Sequence, residues 1–252
     1  MLALRTSSAS SRLPAAPSSN GWKASRCLAS RRCVAEGPAH VAQLQVADLF
    51  ATPVAMASLP DAAAFNARIK PVILNRRRMH PTQSRSAMNG WQSDTEMALW
   101  AGDALQPLLL AVVELCNTRT VDVAEQDRPR FRWVPQAWAN VHEQGGANQF
   151  HTHPGAVWSL VYYVDDGYAG SSDRALGGEF VILDPRMPAI RMAAPDLRCR
   201  QADNSIGETE ILMRPATGRL LMFPSWLSHG VRPYLGTGTR ISIAVNVLAL
   251  PA

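Results

Sequence analysis

Hydrophobic and polar positions divide this chain into two regimes. From about residue 61 to 118 apolar residues recur at helical spacing, and beyond about residue 130 they gather into short β-prone runs set apart by Gly, Pro or Asp. A short β-prone stretch, QLQVADLFATPVAMASL, comes first and ends at Pro60. Asp61 then predicts the N-cap of a helix over AAAFNARIK, with Pro71 as its stop, since proline lacks the N–H and crowds the carbonyl four residues back. The polar segment LNRRRMHPTQSRSAMNGWQSD predicts a loop, with Arg76, Arg77 and Arg78 as solvated charges and substrate steering as the lesser alternative. TEMALWAGDALQPLLLAVVELCNT predicts a helix capped by Ser93 or Asp94 and broken before Pro107.

Seven β-prone runs follow: RFRWV, AWANVH, AVWSLVYYV, GGEFVIL, ETEILMRP, GRLLMFP and TRISIAVNVL. So many short runs with turn residues between them argue for an antiparallel sandwich or barrel against which the helices pack. The predicted class is therefore mainly β with flanking helices. Residues 41–252 are expected to form one domain, 41–125 its helical part and 126–252 its β core. Residues 1–40, rich in Ser, Ala and Arg with no acidic group before Glu36, show no period that would build a core. They are expected to be a leader outside the fold: a transit peptide, a flexible tail or translated upstream sequence.

Charge changes the picture only at that leader. Arg5, Arg12, Lys23, Arg26, Arg31 and Arg32 against Glu36 account for the whole net charge of +5, leaving 19 basic and 19 acidic groups in the rest. A balanced domain gives no reason to expect nucleic acid as partner. No stretch approaches the eighteen or so consecutive apolar residues of a membrane span. Cys27, Cys33, Cys116 and Cys199 show no metal or disulfide spacing, which predicts a reduced, intracellular compartment, cytoplasmic unless residues 1–40 direct import into an organelle.

The candidate chemistry sits in ANQFHTHPGAVWSLVYYV, residues 147 to 164, expected to be a buried strand. Side chains alternate along an extended backbone, so His151 and His153 project to one side and can reach one metal ion. His229, ahead of another β-prone run, supplies a third imidazole. Three imidazoles leave coordination positions open, as a catalytic metal requires. The plainer alternative is that all three are ordinary polar residues. Trp133, Trp138, Trp158 and Trp226 are expected in the core, Gly177 and Gly178 in a positive-φ turn, and His40, His80 and His142 as structural or exposed residues without partners.

The motifs NGWQSD (89–94), N-x-H-x-x-G (140–145), HTHPG (151–155), LVYYV (160–164), LGGEFVILDP (176–185), PATGRLLMFPSWLSHGV (215–231) and GTRIS (238–242) occur in an order that resembles the iron(II)- and 2-oxoglutarate-dependent dioxygenases. The likeness is to the prolyl 4-hydroxylase-like branch and its bacterial relatives. It implies a double-stranded β-helix, or jelly roll, and an oxygenase that uses Fe(II), 2-oxoglutarate and O2 to hydroxylate a substrate with release of succinate and CO2. It also implies metal ligands at His151 and His229, and a distal-carboxylate site at Arg240 and Ser242 joined by Tyr163, with Asn140 as a further cosubstrate contact. No catalytic residue is expected beyond the metal centre. Position 153 departs from the family pattern, having His where Asp is usual. Either His153 is the third ligand, or it stands behind one and a carboxylate such as Asp165, Asp166 or Glu179 approaches. Two other classes compete: a cupin-type metal protein that uses no 2-oxoglutarate, and a jelly-roll binding module without chemistry. The substrate, peptidyl or small, and the oligomeric state are not legible. The segments 75–93 and 165–176 are the candidate substrate rim.

Overall fold

Alternation along three long strands organises the molecule. The computed structural model describes residues 45–83, 85–125, 130–194 and 196–252, so the expected leader lies outside them. Nine strands form one sheet among these residues: β1 (Ala55–Ser58), β2 (Ala87–Gln92), β3 (Phe131–His151), β4 (Trp158–Asp165), β5 (Phe180–Leu183), β6 (Glu210–Met213), β7 (Arg219–Pro224), β8 (His229–Val231) and β9 (Arg240–Pro251). Their order is β1-β7-β4-β9-β3-β8-β5-β6, with β2 on the remaining edge of β3, and every strand pair is antiparallel. Three helices, α1 (Ala62–Met79), α2 (Met97–Ala101) and α3 (Gln106–Arg119), cover one face. The architecture is the expected double-stranded β-helix with flanking helices.

Side-chain parity sorts the two faces. Ala137, Ala139 and Val141 of β3, Leu160, Tyr162 and Val164 of β4, and Ile241, Ile243, Val245 and Val247 of β9 turn toward the helices, into one core with Phe65, Ile69, Leu108 and Val112. Full burial of each such Val, Leu, Ile or Phe side chain is worth about 1.5–3 kcal/mol. The intervening residues face the other way, where Val161, Tyr163, Phe180, Leu221 and Phe223 form a smaller cluster. This second face carries the polar residues discussed below. Tyr162 ties the layers together: its hydroxyl donates to Asn66 Oδ1 at 2.8 Å and its ring meets Phe65 edge-on.

Several sequence expectations need correction. Helix α1 does not stop at Pro71 but runs through it to Met79, because Phe65, Ile69 and Ile73 lie on one stripe buried on both sides of the proline. Packing of that stripe outweighs the lost N–H. Asp61 does sit at the N-cap, yet its side chain makes no capping hydrogen bond. Arg76, Arg77 and Arg78 are the last turn of α1, not a loop, where cations suit the carbonyl end of the helix; Arg76 pairs with Asp94 and Arg77 with Glu143. The end of the supposed loop is β2, whose polar residues are held by pairing with β3. The runs RFRWV and AWANVH belong to one 21-residue strand, β3. The break before Pro107 is present, α2 and α3 being bent by 107° about a 3-10 turn at Gly102–Ala104. No single helix among the described residues is long and apolar enough to cross a membrane.

Candidate active site

His151 and His229 are register partners, the last residue of β3 facing the first of β8. His153 is not on a strand: it lies in the turn before β4, where its backbone N–H donates to Ser225 O at 2.9 Å. The turn nevertheless brings its ring to the other two, with centroid separations of 4.8 Å to His151, 5.0 Å to His229, and 4.4 Å between His151 and His229. One nitrogen from each imidazole lies within 4.8 Å of the others, a spacing that could hold one metal ion. No carboxylate joins this cluster among the described residues. Asp165 instead bonds Lys70 Nζ at 2.6 Å, and Asp166 accepts from the N–H groups of Tyr168 and Thr217.

Local hydrogen bonds set the imidazoles for such a role. Nδ1 of His151 lies 2.7 Å from Gln149 O and Nδ1 of His229 lies 2.8 Å from Leu227 O. A carbonyl accepts only, so Nδ1 carries the proton and Nε2 keeps its lone pair for a metal. Burial, and next to it the neighbouring imidazoles, hold His229 at about 3 and His153 at about 4, and burial lowers His151 as well. All three are therefore neutral, as ligands must be. Phe180 stacks on His229 and Phe223 meets it edge-on, while Trp138 meets His153 edge-on at 5.6 Å, so the cluster has an apolar wall.

Beside it lies a buried guanidinium. Arg240 opens β9 at 1% exposure and lines the same cleft as the three histidines, together with Asn140, Ser242, Gln92, Asn148 and Ser86. The cleft has water-sized space of about 50 Å³, and no acidic residue lines it. Ser242 faces Asn140 across one edge of β9 and Tyr163 across the other. Asn140 Oδ1 accepts from Gln92 Nε2 at 3.0 Å, which leaves the Asn140 amide donors free. Tyr163 is buried beside the guanidinium, its ring centroid 5.3 Å from Arg240 Cζ, and burial pushes its hydroxyl up to about 12. Nε and Nη2 of Arg240 have no hydrogen-bond partner among the described residues. An unpaired buried cation costs several kcal/mol, and a carboxylate meeting the planar fork would remove that cost, so the arrangement fits a bound dianion beside a metal.

The residue that sequence reasoning missed is His142. Expected to have no partner, it is fully buried and opposite Arg240 in register, its Nδ1 accepting from Arg240 Nη1 at 3.4 Å. The partner is 98 residues away, so only the strand register reveals it. Of the tryptophans, Trp138 and Trp158 are buried and Trp226 is exposed. Gly177 and Gly178 have the positive φ expected of them, and a Cβ on Gly177 would strike Pro233 O. Cys116 is buried and Cys199 exposed, both as free thiols. Larger hollows, about 340 Å³ between Asp184 and Thr209 and about 1030 Å³ against Phe50 and Trp226, hold no comparable cluster of ligand side chains among the described residues.

A jelly roll with clustered imidazoles and a buried, open-forked arginine on one sheet face defines a non-haem metal oxygenase layout. Residues 136–246, just under half of the chain, match the family model described as "Putative 2OG-Fe(II) oxygenase". All seven residues expected at the site fall inside that segment. The fold is similar to that of a prolyl hydroxylase from Trichoplax adhaerens, solved with a peptide of hypoxia inducible factor, at TM-score 0.53 and 13% identity over 77% of this chain and 83% of that one. It is also similar to the non-heme alpha ketoglutarate dependent epimerase SnoN of nogalamycin biosynthesis, at TM-score 0.53 and 9% identity over 78% and 76%. A prolyl-4-hydroxylase from Pseudomonas putida aligns at TM-score 0.49 and 13% identity over 78% and 92%. No curated protein matches the chain. The family's cofactor and cosubstrate are Fe(II) and 2-oxoglutarate, and its chemistry implies O2 and a substrate.

Proposed function

We propose that the chain is a hydroxylase in which His151, His153 and His229 hold Fe(II), and Arg240 with Ser242 holds the distal carboxylate of 2-oxoglutarate. The observation that carries this reading is Arg240 itself, a buried cation with free donors on the sheet face shared with three neutral imidazoles. Bound together, Fe(II) and 2-oxoglutarate supply dioxygen activation coupled to decarboxylation, giving succinate, CO2 and an oxidised substrate. The chain's part is placement. The backbone carbonyls of Gln149 and Leu227 keep two imidazoles turned Nε2-outward, and the Asn140 amide and Ser242 hydroxyl add donors beside Arg240. Tyr163 flanks the guanidinium, and Phe180 and Phe223 exclude water around His229.

His153 replaces the usual acid, so the centre carries one more positive charge than a site with two imidazoles and a carboxylate, which favours a dianionic cosubstrate. Residues 41–252 are the oxygenase domain in this reading and 1–40 a leader to it. The balanced charge of the domain favours a small-molecule or peptidyl substrate over nucleic acid, and the cysteine pattern a cytoplasmic location, or an organelle if the leader directs import.

Anaerobic addition of Fe(II) and then 2-oxoglutarate to the full chain tests the site. A visible metal-to-ligand charge-transfer band is expected, and it should weaken in Arg240→Ala. Iron binding with no band would transfer the assignment to a cupin-like metal protein; no iron binding at all would leave a binding module.

A further inference from the structure

We propose that His142 is a positioning residue for Arg240: it holds the guanidinium so that Nε and Nη2 stay open toward the carboxylate of the cosubstrate. The proposal rests on the reading of Arg240 given above. His142 is absent from the cleft wall, so it acts through Arg240 and does not touch the ligand. Strand pairing sets it there, opposite Arg240 across β3 and β9.

Arg240 is protonated at any ordinary pH and donates through Nη1, so Nδ1 of His142 must be the bare acceptor and Nε2 must carry the proton. Burial, and then the charge of Arg240, keep this imidazole neutral, its pKa lowered to about 3. The guanidinium is thereby flanked by His142 on the β3 side and Tyr163 on the β4 side. At 3.4 Å the contact is long, suited to orienting a group more than to binding it tightly.

The surroundings of His142 argue against a role in packing alone. Its Nε2 is buried without a partner among the described residues, a cost of about 1–3 kcal/mol that Leu or Phe would not incur. Gly90 of β2 makes the space for the ring: a Cβ there would lie 2.4 Å from His142 Cδ2. The fold thus leaves one side chain out and accepts an unsatisfied nitrogen in order to keep an imidazole beside the arginine.

The test uses the full chain and two titrations: metal affinity by chelator competition, and 2-oxoglutarate affinity from the anaerobic charge-transfer band. His142→Phe keeps a ring but removes the acceptor, and His142→Asn keeps an acceptor near the Nδ1 position. Metal affinity is expected to stay within about twofold in both. The 2-oxoglutarate Kd should rise about tenfold or more in His142→Phe and by about threefold or less in His142→Asn. In an Arg240→Lys background, which has no planar fork to orient, His142→Phe should add nothing further. Equal losses in the Phe and Asn variants, no loss in His142→Phe, or additive losses with Arg240→Lys would each overturn the proposal.

Gly90→Ala supplies an arm that leaves the imidazole in place but displaces it. It should weaken 2-oxoglutarate several-fold at unchanged metal affinity, and an unchanged Kd in this variant overturns the proposal even where His142→Phe does not fold. If the wild-type chain binds metal but forms no band, the reading of Arg240 fails and this proposal with it. A normal wild-type band with unaffected His142 and Gly90 variants removes this proposal alone.

Discussion

The metal end and the anion end of the cleft are built in opposite ways. At the metal end, His151 closes a strand, His229 opens one, and His153 sits off the strands in a turn that is hydrogen-bonded to Ser225 through His153 N–H, Ala156 O and Val157 O. At the anion end, Asn140, His142 and Tyr163 lie within strands, Ser242 has ladder partners on both sides of β9, and Arg240, at the start of β9, is paired with His142 of β3. The first arrangement gathers ligands at strand ends and in a turn, and leaves an ion to complete them. The second is finished by the backbone register, and only its counter-charge is supplied from outside. Strand ends can shift by tenths of an ångström at small cost, whereas a register cannot slip by one residue without turning every side chain to the opposite face.

The largest test of this contrast is to remove one element from each end. His229→Ala should weaken metal binding by more than about 100-fold, as chelator competition would show. Arg240→Ala should leave metal affinity nearly unchanged while costing 2-oxoglutarate about 100-fold, the scale for truncating one member of a buried charge pair. A comparable loss of metal in Arg240→Ala would mean that the two ends form a single unit.

Acid sharpens the contrast next. His142 and His229 are held at about 3 and His153 at about 4, against about 6.5 when unfolded. Between those limits the unfolded chain binds more protons, so the stability these groups give is complete above about pH 6.5 and is lost as pH falls toward 4. The melting temperature of the metal-free protein should therefore drop from pH 7 to 4.5, above the range in which the lowered carboxyl groups of Asp94 and Asp184 titrate. His142→Phe should remove the anion end's share of that slope and His229→Phe the metal end's share. A melting temperature independent of pH over this window would refute the assignment of neutral, buried imidazoles. The smallest effect expected is a gain: Arg240→Met, which replaces an unpaired buried cation by an apolar chain, should stabilise the ligand-free protein by about 1–4 kcal/mol in thermal or urea unfolding.

What the sequence reveals follows the same division. The β regime, the helix break before Pro107 and the three histidines are local features, written in spacing and residue type. The continuation of α1 through Pro71 depends on Phe65 and Ile73 being buried against the sheet, which no local pattern states. Strand β2 is polar in composition and so resembles a loop; what makes it a strand is its ladder with β3, about fifty residues further along the chain. His153 reaches its partners through a turn, although period-2 alternation would have been a sufficient reason had the strand continued. The parity of β9 shows that Arg240 and Ser242 share a face, but that His142 lies opposite Arg240 is a fact of register between segments about a hundred residues apart.

The niche beside His142 also sets an order on how the protein can diverge. While the imidazole is present, any side chain at position 90, even a methyl group, has to push it aside. A smaller residue at 142 would relieve that contact. Glycine at 90 and histidine at 142 should therefore change together among descendants of this chain, with the change at 142 the less costly first step.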